Sequence, residues 1–462
     1  MAATVPSQLE LIDYSRSEDW APGIFRPIHY IGSKLRVIDL VLDAIDSVAA
    51  GPGPICDLFA GSGTVSLALA QSREVVCADI QEYSRVICSA LVQRRETAET
   101  LTRKFLADAS NRVTRLRDAM MPLIEYEKSC AEEAAFGKGL TRLCNLVQQG
   151  SIVGFETYSN GVIDKDLSDA IRRAQSRLRN SGLNESVDSV VSRYFGGVYF
   201  SYAQAADLDA LLGAAALLNT DIKDLFVAAI LSTASTVVNT IGKHFAQPIK
   251  PVDRRGRPKT HAITKILQDR TVEVPRTFED WLRTYSAVRL KYRRNVVLRS
   301  DYRDLLDTYQ GNFAAVYADP PYTRDHYSRF YHVLETMSLR DAPGVSMNRI
   351  RGETRVSRGL YRPSRHQSPF CIRSQAPQAF ADLFQRVRNR RAPLVLSYSP
   401  TTEYEGAQPR VMSIDAIARL ARQFYSSVTI KTMGSMSHSK LNSTERILGQ
   451  SSHAERLLIC DL

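Results

Sequence analysis

The segment "GPGPICDLFAGSGTVSLALAQSREVVCAD", residues 51–79, does most to limit what this chain can fold into. Two short apolar runs, 55–59 and 74–79, flank a loop with two glycines and a stretch of helix-forming residues, 64–71. A strand, a tight turn, a helix and a second strand form a β-α-β unit, the start of a parallel sheet. Upstream, Leu35, Ile38, Leu42 and Ile45 recur at helical spacing behind the turn and N-cap expected of Gly32-Ser33, and the glycines and prolines at 51–54 end that helix.

The alternation then stops. Residues 98–290 are helical in pattern, rich in charge and without an internal repeat, and "RYFGGVYFSYAQAADLDALL" (193–212) reads as a turn entering a helix. Strand-like runs resume at 295–301, 313–319, 393–399, 427–433 and 456–462, with a helix expected over 413–425. The pattern predicts an α/β fold: a Rossmann-like, doubly wound sheet interrupted by a largely helical insertion. The expected divisions are an N-terminal extension (1–25), a first part of the core (26–97), the insertion (98–290) and a second part of the core (291–462) that carries a basic insertion at 340–392.

With 462 residues, 44% of them hydrophobic, the chain can bury a full core and build two or more structural units. Its formal charge of +11 favours a polyanionic partner, nucleic acid first and an acidic membrane second. The seven cysteines are scattered without a C-x-x-C pair, and the eight histidines show no ligand spacing with them. Buried free thiols in a reducing compartment are expected, and no metal site. The first 20 residues lack the pattern of a signal peptide, and the longest apolar stretch, 225–241, is too short and polar to span a bilayer. The expected location is the cytoplasm, in association with the nucleoid.

In "DLFAGSGTVS" (57–66), Gly61 and Gly63 between strand and helix let a ligand approach the backbone at a helix N-terminus. The alternative is a plain β-α turn. Position 66 is Ser, so the three-glycine dinucleotide fingerprint is incomplete, and no Gly-Lys-Ser/Thr phosphate loop follows. Asp79 ends the next strand, where an acid accepts hydrogen bonds from ribose hydroxyls or caps a helix. Asp301 stands likewise after a strand.

The stretch "VYADPPYTRDHYSRF" (316–330) carries the chemistry. Two prolines fix their own φ and cannot donate ladder hydrogen bonds, so the strand ends at Asp319 and a stiff loop follows. The exocyclic amino group of a nucleobase is a poor nucleophile because its lone pair is delocalised into the ring. Two acceptors, the Asp319 carboxylate and the Pro320 carbonyl, suit its two N–H protons and would direct the lone pair at an electrophile. Tyr322 would stack on the ring, and Pro321 keeps the acceptors apart. Tyr327, Tyr331 and His332 either line this site or form the packed face of a helix.

In order, "YIGSK", "DLFAGSG", an acid after the next strand, a large insertion, "DPPY" and a later "LSYS" strand resemble the Dam-like, alpha-class DNA adenine-N6 methyltransferases. The resemblance covers 26–95 and 295–340, and 390–462 more loosely. It implies a methyltransferase sheet and the cofactor S-adenosyl-L-methionine. Tyr30, Ser33 and Lys34 match the N-terminal motif near the methionine end, and Asp57, Phe59, Gly61 and Gly63 the glycine motif. Asp79 matches the ribose-binding acid, Asp301 the acid near the cofactor's adenine, and Asp319, Pro320, Pro321 and Tyr322 the catalytic tetrad. The implied reaction is direct in-line methyl transfer to an adenine flipped out of duplex DNA.

Such an enzyme needs side chains that neutralise phosphates. Residues 243–259 hold six Lys/Arg against one acid, and 348–367 hold six arginines against one Glu. Lys243, Arg254, Arg255 and Arg257 in the first, and Arg355, Arg358, Arg362 and Arg365 in the second, are the candidate DNA contacts; a solvated charged face is the alternative. Cytosine N4, an RNA adenine and a non-catalytic DNA-binding subunit remain competing readings, with a nicotinamide oxidoreductase as the fold-level decoy. No nuclease motif is evident, so a cognate restriction endonuclease or a defence-system subunit would be a separate chain.

Overall fold

The computed structural model describes residues 24–93, 98–157, 164–292, 294–322, 327–350, 352–398, 411–432 and 455–462. Most of the expected N-terminal extension and residues 323–326 of the stretch after the tetrad lie outside them. The strands are β1 (Ile55–Asp57), β2 (Val75–Asp79), β3 (Val296–Arg299), β4 (Ala315–Ala318), β5 (Met347–Ile350), β6 (Glu353–Val356), β7 (Leu394–Tyr398), β8 (Ser427–Thr432) and β9 (Arg456–Asp461).

Seven of these form one sheet in the order β3-β2-β1-β4-β7-β9-β8, and β5 and β6 pair as a separate hairpin. The pairs from β3 across to β7 are parallel, whereas β9 runs antiparallel to both β7 and β8. Chain order reverses between β1 and β4. That switch point, at the carboxyl ends of the strands, is where open α/β sheets form their ligand crevice.

The apolar runs are explained by burial on both faces. Ile55, Val75, Cys77, Ala315, Tyr317, Val395 and Ile459 enter one core, and Cys56, Val76, Ala78, Val316, Ala318, Leu394, Leu396 and Cys460 the other. Each fully buried Val, Ile or Leu contributes about 1.5–3 kcal/mol relative to exposure. All seven cysteines are buried and free.

The described part of 98–290 is helical, from Glu99–Ala135 to Val274–Ser286. Its packing differs from the sequence reading of one inserted unit. Helices Thr220–Val237 and Val274–Ser286 contribute Phe226, Ile230, Phe278 and Leu282 to the same core as the sheet. Leu116, Leu123, Leu143, Leu167, Ile171 and Ile263 form a separate core among the other helices. Helix Tyr202–Ala215 belongs to both clusters and opens with a Ser201–Gln204 capping box, each side chain satisfying the other's backbone N–H.

A second difference concerns 340–392. Residues Ala376–Asn389 form a helix whose Ala379, Phe380, Leu383, Phe384 and Val387 pack on the sheet. This is the crossover between β4 and β7, so the basic segment proper ends before it. Arginines on the solvent face of an amphipathic helix gave that stretch its basic character.

Candidate active site

Every group in the site is placed by the carboxyl edge of the sheet. β1 leads into the loop 58–63, where Gly61 has φ +53° and Gly63 has φ +73°, left-handed values that favour glycine. The two glycines serve different neighbours. A Cβ on Gly61 would lie 2.6 Å from the Tyr30 hydroxyl, and one on Gly63 would lie 2.7 Å from Leu91 Cδ1. Gly61 therefore lets Tyr30 lie against the loop, and Gly63 lets the next helix pack closely. We predict that Gly61→Ala lowers thermal stability, since the left-handed backbone alone costs about 1–2 kcal/mol, and weakens cofactor binding by displacing Tyr30. A melting curve and a binding titration check this.

Asp79 ties the loop down: its Oδ2 accepts from Gly61 N–H at 3.0 Å and its Oδ1 from Gln81 N–H at 2.9 Å. Burial pushes its pKa up, and these backbone donors work against that shift. It is not the N-cap of the following helix, a position that Gln81 occupies. Asp57 accepts from Ser66 Oγ at 2.7 Å through Oδ2, while its buried Oδ1 has no partner among the described residues. Burial pushes its carboxyl up to about 7.

β4 ends where expected, and Asp319 sits at its tip. Lys34 is 5% exposed, yet it places its ammonium 2.9 Å from Asp319 Oδ2 and 3.4 Å from Glu455 Oε1. Burial opposes the charge on Lys34, but the two carboxylates outweigh it and hold its pKa well above the ordinary value. Burial pushes Asp319 up to about 6; Lys34 moderates the shift and Glu455 adds to it. The Tyr322 ring packs against Tyr398 with centroids 4.9 Å apart, and the Lys34 ammonium stands 5.8 Å from its centre.

In front of these groups opens a cleft whose empty space, open solvent at its mouth included, is about 840 Å³. It is lined by Tyr30, Phe59, Asp79, Asp301, Asp319, Pro321 and Tyr327 among the expected residues, and by Tyr83, Tyr302, His366 and Phe370 among the unexpected ones. Phe59, Tyr302 and Phe370 form a triangle of rings with centroids 5.5–5.6 Å apart, an aromatic wall in the cavity that Asp79 and Asp301 also line. Asp301 also caps the helix Tyr302–Thr308 through Arg303 N–H. Ser33 precedes a short 3-10 turn but makes no side-chain cap, and its buried Oγ lacks a partner among the described residues.

Tyr331 and His332 are packing residues. Tyr331 stacks on Tyr30 at 4.9 Å, and its hydroxyl oxygen accepts a hydrogen bond from Ile31 N–H at 2.7 Å. His332 is fully buried against Phe195, Tyr199 and Tyr361, and burial pushes its pKa down to about 3. An aromatic-rich helix start reads alike for a lining and for a core.

The two basic stretches, far apart in sequence, lie against each other. Tyr361 donates to the Ala246 carbonyl and Arg358 Nη2 to the Pro248 carbonyl at 3.1 Å. Arg329 and Arg365 stand over the Tyr361 ring at 4.9 and 5.0 Å. Asp253 shapes the first stretch, accepting from Arg255 N–H at 2.8 Å and Arg257 N–H at 2.9 Å, which presents Arg254 and Arg255 to solvent. Arg355 is exposed on β6. Two expected DNA contacts need correction. Lys243 donates to Val238 O and to Asp269, each at 2.9 Å, and Arg362 is 8% exposed in a two-point ion pair with Asp341. Both cations are held by internal acceptors.

The fold is an α/β sheet with a cavity at the β1–β4 switch point and an acid, Asp319, at the tip of β4. The sequence model of the D12 class N6 adenine-specific DNA methyltransferases matches residues 30–128 and 270–391, and the chain belongs to that family. It is therefore an enzyme of adenine-N6 methylation in DNA, and methyltransferases of this family generally use S-adenosylmethionine. No curated protein and no solved structure matches the chain. Among the described residues, no helix is long and apolar enough to cross a membrane, and no group of three or more His, Cys, Asp or Glu could hold a metal ion.

Proposed function

We propose that S-adenosylmethionine binds in the cavity at the β1–β4 switch point and that a target adenine, flipped out of duplex DNA, is presented to Asp319 and Pro320. The observation that carries this reading is the cavity that Asp79, Asp301 and Asp319 line together, with Lys34 paired to Asp319. When bound, the cofactor supplies a methyl group already activated on a sulfonium. Its adenosine end suits the wall of Phe59, Tyr302 and Phe370, with Asp79, Asp301 and His366 lining the same cavity. The unpartnered Asp57 Oδ1 suits the ammonium of its methionine end.

Asp319 and the Pro320 carbonyl accept the two N–H protons of the adenine amino group and turn its lone pair outward. Tyr322, backed by Tyr398, gives the base an aromatic neighbour. With a pKa of about 6, Asp319 is too weak a base to deprotonate a neutral amine beforehand. It is a suitable acceptor for the proton that the nitrogen must shed once positively charged. Activity should therefore fall as pH drops through about 6 to 7, where Asp319 and Asp57 protonate.

The joined basic stretches supply the DNA surface, with Arg254, Arg255, Arg257, Arg355, Arg358 and Arg365 as contacts. Arg254→Ala with Arg255→Ala should weaken DNA binding and lower the slope of log affinity against log salt by about two, one per lost phosphate contact. Fluorescence anisotropy at several salt concentrations measures this; an unchanged slope would place DNA elsewhere. For the cofactor, isothermal titration should detect S-adenosylmethionine binding and its loss in Asp79→Ala. Undiminished binding in that variant would overturn the placement.

A further inference from the structure

We propose that Glu455, outside both the catalytic motif and the family match, is a positioning residue for the methyl-transfer step. Its carboxylate holds Lys34 against Asp319 and sets the charge that Asp319 carries. The proposal rests on the reading of Asp319 as the acceptor for the adenine amino group.

The geometry follows from one topological detail. β9 is antiparallel to its neighbours, so its N-terminal end, not its C-terminal end, reaches the edge where the parallel strands finish. Glu455 immediately precedes β9 and is 7% exposed. Its Oε1 accepts from Ser397 Oγ of β7 at 2.6 Å and lies 3.4 Å from Lys34 Nζ, whose other carboxylate partner is Asp319 at 2.9 Å. Ser397 is itself fully buried, so the carboxylate is fixed by the sheet.

One ammonium thus serves two carboxylates, and the group carries one net negative charge beside the cavity. With Lys34 alone, Asp319 would form a closed neutral pair whose acceptor strength is largely spent on the ammonium. Glu455 takes part of that ammonium's attraction and leaves Asp319 a stronger acceptor for an incoming amino group. The other titratable groups facing Asp319 are Asp57 on β1, Tyr317 on β4 itself, and Tyr322 and Tyr327 beyond the tetrad. Burial holds Tyr317 and Tyr327 protonated throughout the working range. Asp57 titrates near 7, so it adds to the wild-type acid limb, but it makes no contact with Glu455 in the ion-pair group.

The test is the pH dependence of methyl transfer in Glu455→Gln and Glu455→Ala, alongside thermal melts and the KM for S-adenosylmethionine. Glu455→Gln keeps an acceptor for Ser397 and Lys34 but removes the charge. Its acid limb should move to lower pH by about one unit, because a neighbouring negative charge no longer opposes ionisation of Asp319. Glu455→Ala should lower kcat about tenfold with the cofactor KM unchanged, and the glutamine variant should recover part of that loss. A folded Glu455→Gln with the wild-type pH profile, or a Glu455→Ala with wild-type kcat, would reduce Glu455 to a tether for β9 and overturn the proposal. Should Glu455→Gln fail to fold, Ser397→Ala frees the carboxylate without removing its charge. It must then lower kcat at constant cofactor KM, and unchanged kcat there overturns the proposal too. Failure of the underlying reading looks different: the wild-type enzyme itself would methylate no adenine, and no variant would have a limb to shift.

Discussion

Asp319→Asn should cut methyl transfer by about 10³-fold, the scale of losing one preorganised polar group at a reacting centre, with DNA and cofactor affinity close to wild type. The argument is one of hydrogen-bond polarity. Lys34 lies 2.9 Å from Asp319 Oδ2. In the asparagine variant that ammonium claims the single remaining oxygen and turns the NH2 group toward the cavity. The adenine N–H that Asp319 accepts would then meet an N–H donor, leaving the Pro320 carbonyl as the single acceptor, and the lone pair could not be directed outward. Single-turnover kinetics with bound substrates, together with anisotropy and calorimetry, separate the arms. A variant within tenfold of wild-type rate would contradict the role assigned to Asp319.

The second large effect belongs to Lys34→Met. Removing one partner of a buried ion pair costs about 3–5 kcal/mol, and here it leaves the Asp319 and Glu455 carboxylates without the cation between them. The pH dependence has a defined sign. Asp319 is already raised to about 6 in the folded protein, with Lys34 restraining the shift, so its pKa rises further once Lys34 is gone. A carboxyl raised on folding stabilises the native state most at low pH, below its unfolded pKa of about 3.9. That contribution is lost as pH climbs through the folded value. The stability deficit of Lys34→Met should therefore be small near pH 4 to 5 and grow above pH 6. Urea unfolding at several pH values measures it, and a deficit independent of pH would contradict the shared-cation arrangement.

Much of this could be read from sequence for identifiable reasons. The strands are apolar on both faces, so they stand out without regard to register. Asp319-Pro320-Pro321-Tyr322 combines residue types whose constraints on a strand end leave few alternatives. Glu455 was not legible, because it meets Lys34 and Ser397 only through an antiparallel strand at the far end of the chain. His366 and Phe370 reach the cavity from a segment that reads only as basic. Nor does a basic run reveal which cations already have acceptors: Lys243 finds Asp269 and Arg362 finds Asp341, whereas Arg254 and Arg255 are turned outward by Asp253.

The most direct measurement is incubation of the protein with methyl-labelled S-adenosylmethionine and genomic DNA that lacks adenine methylation, followed by identification of the labelled nucleoside and sequencing of the modified sites. The account predicts N6-methyladenine at one recurring sequence, absent with Asp319→Asn. Label in N4-methylcytosine or in RNA alone, or no transfer to DNA while the cofactor binds, would contradict it.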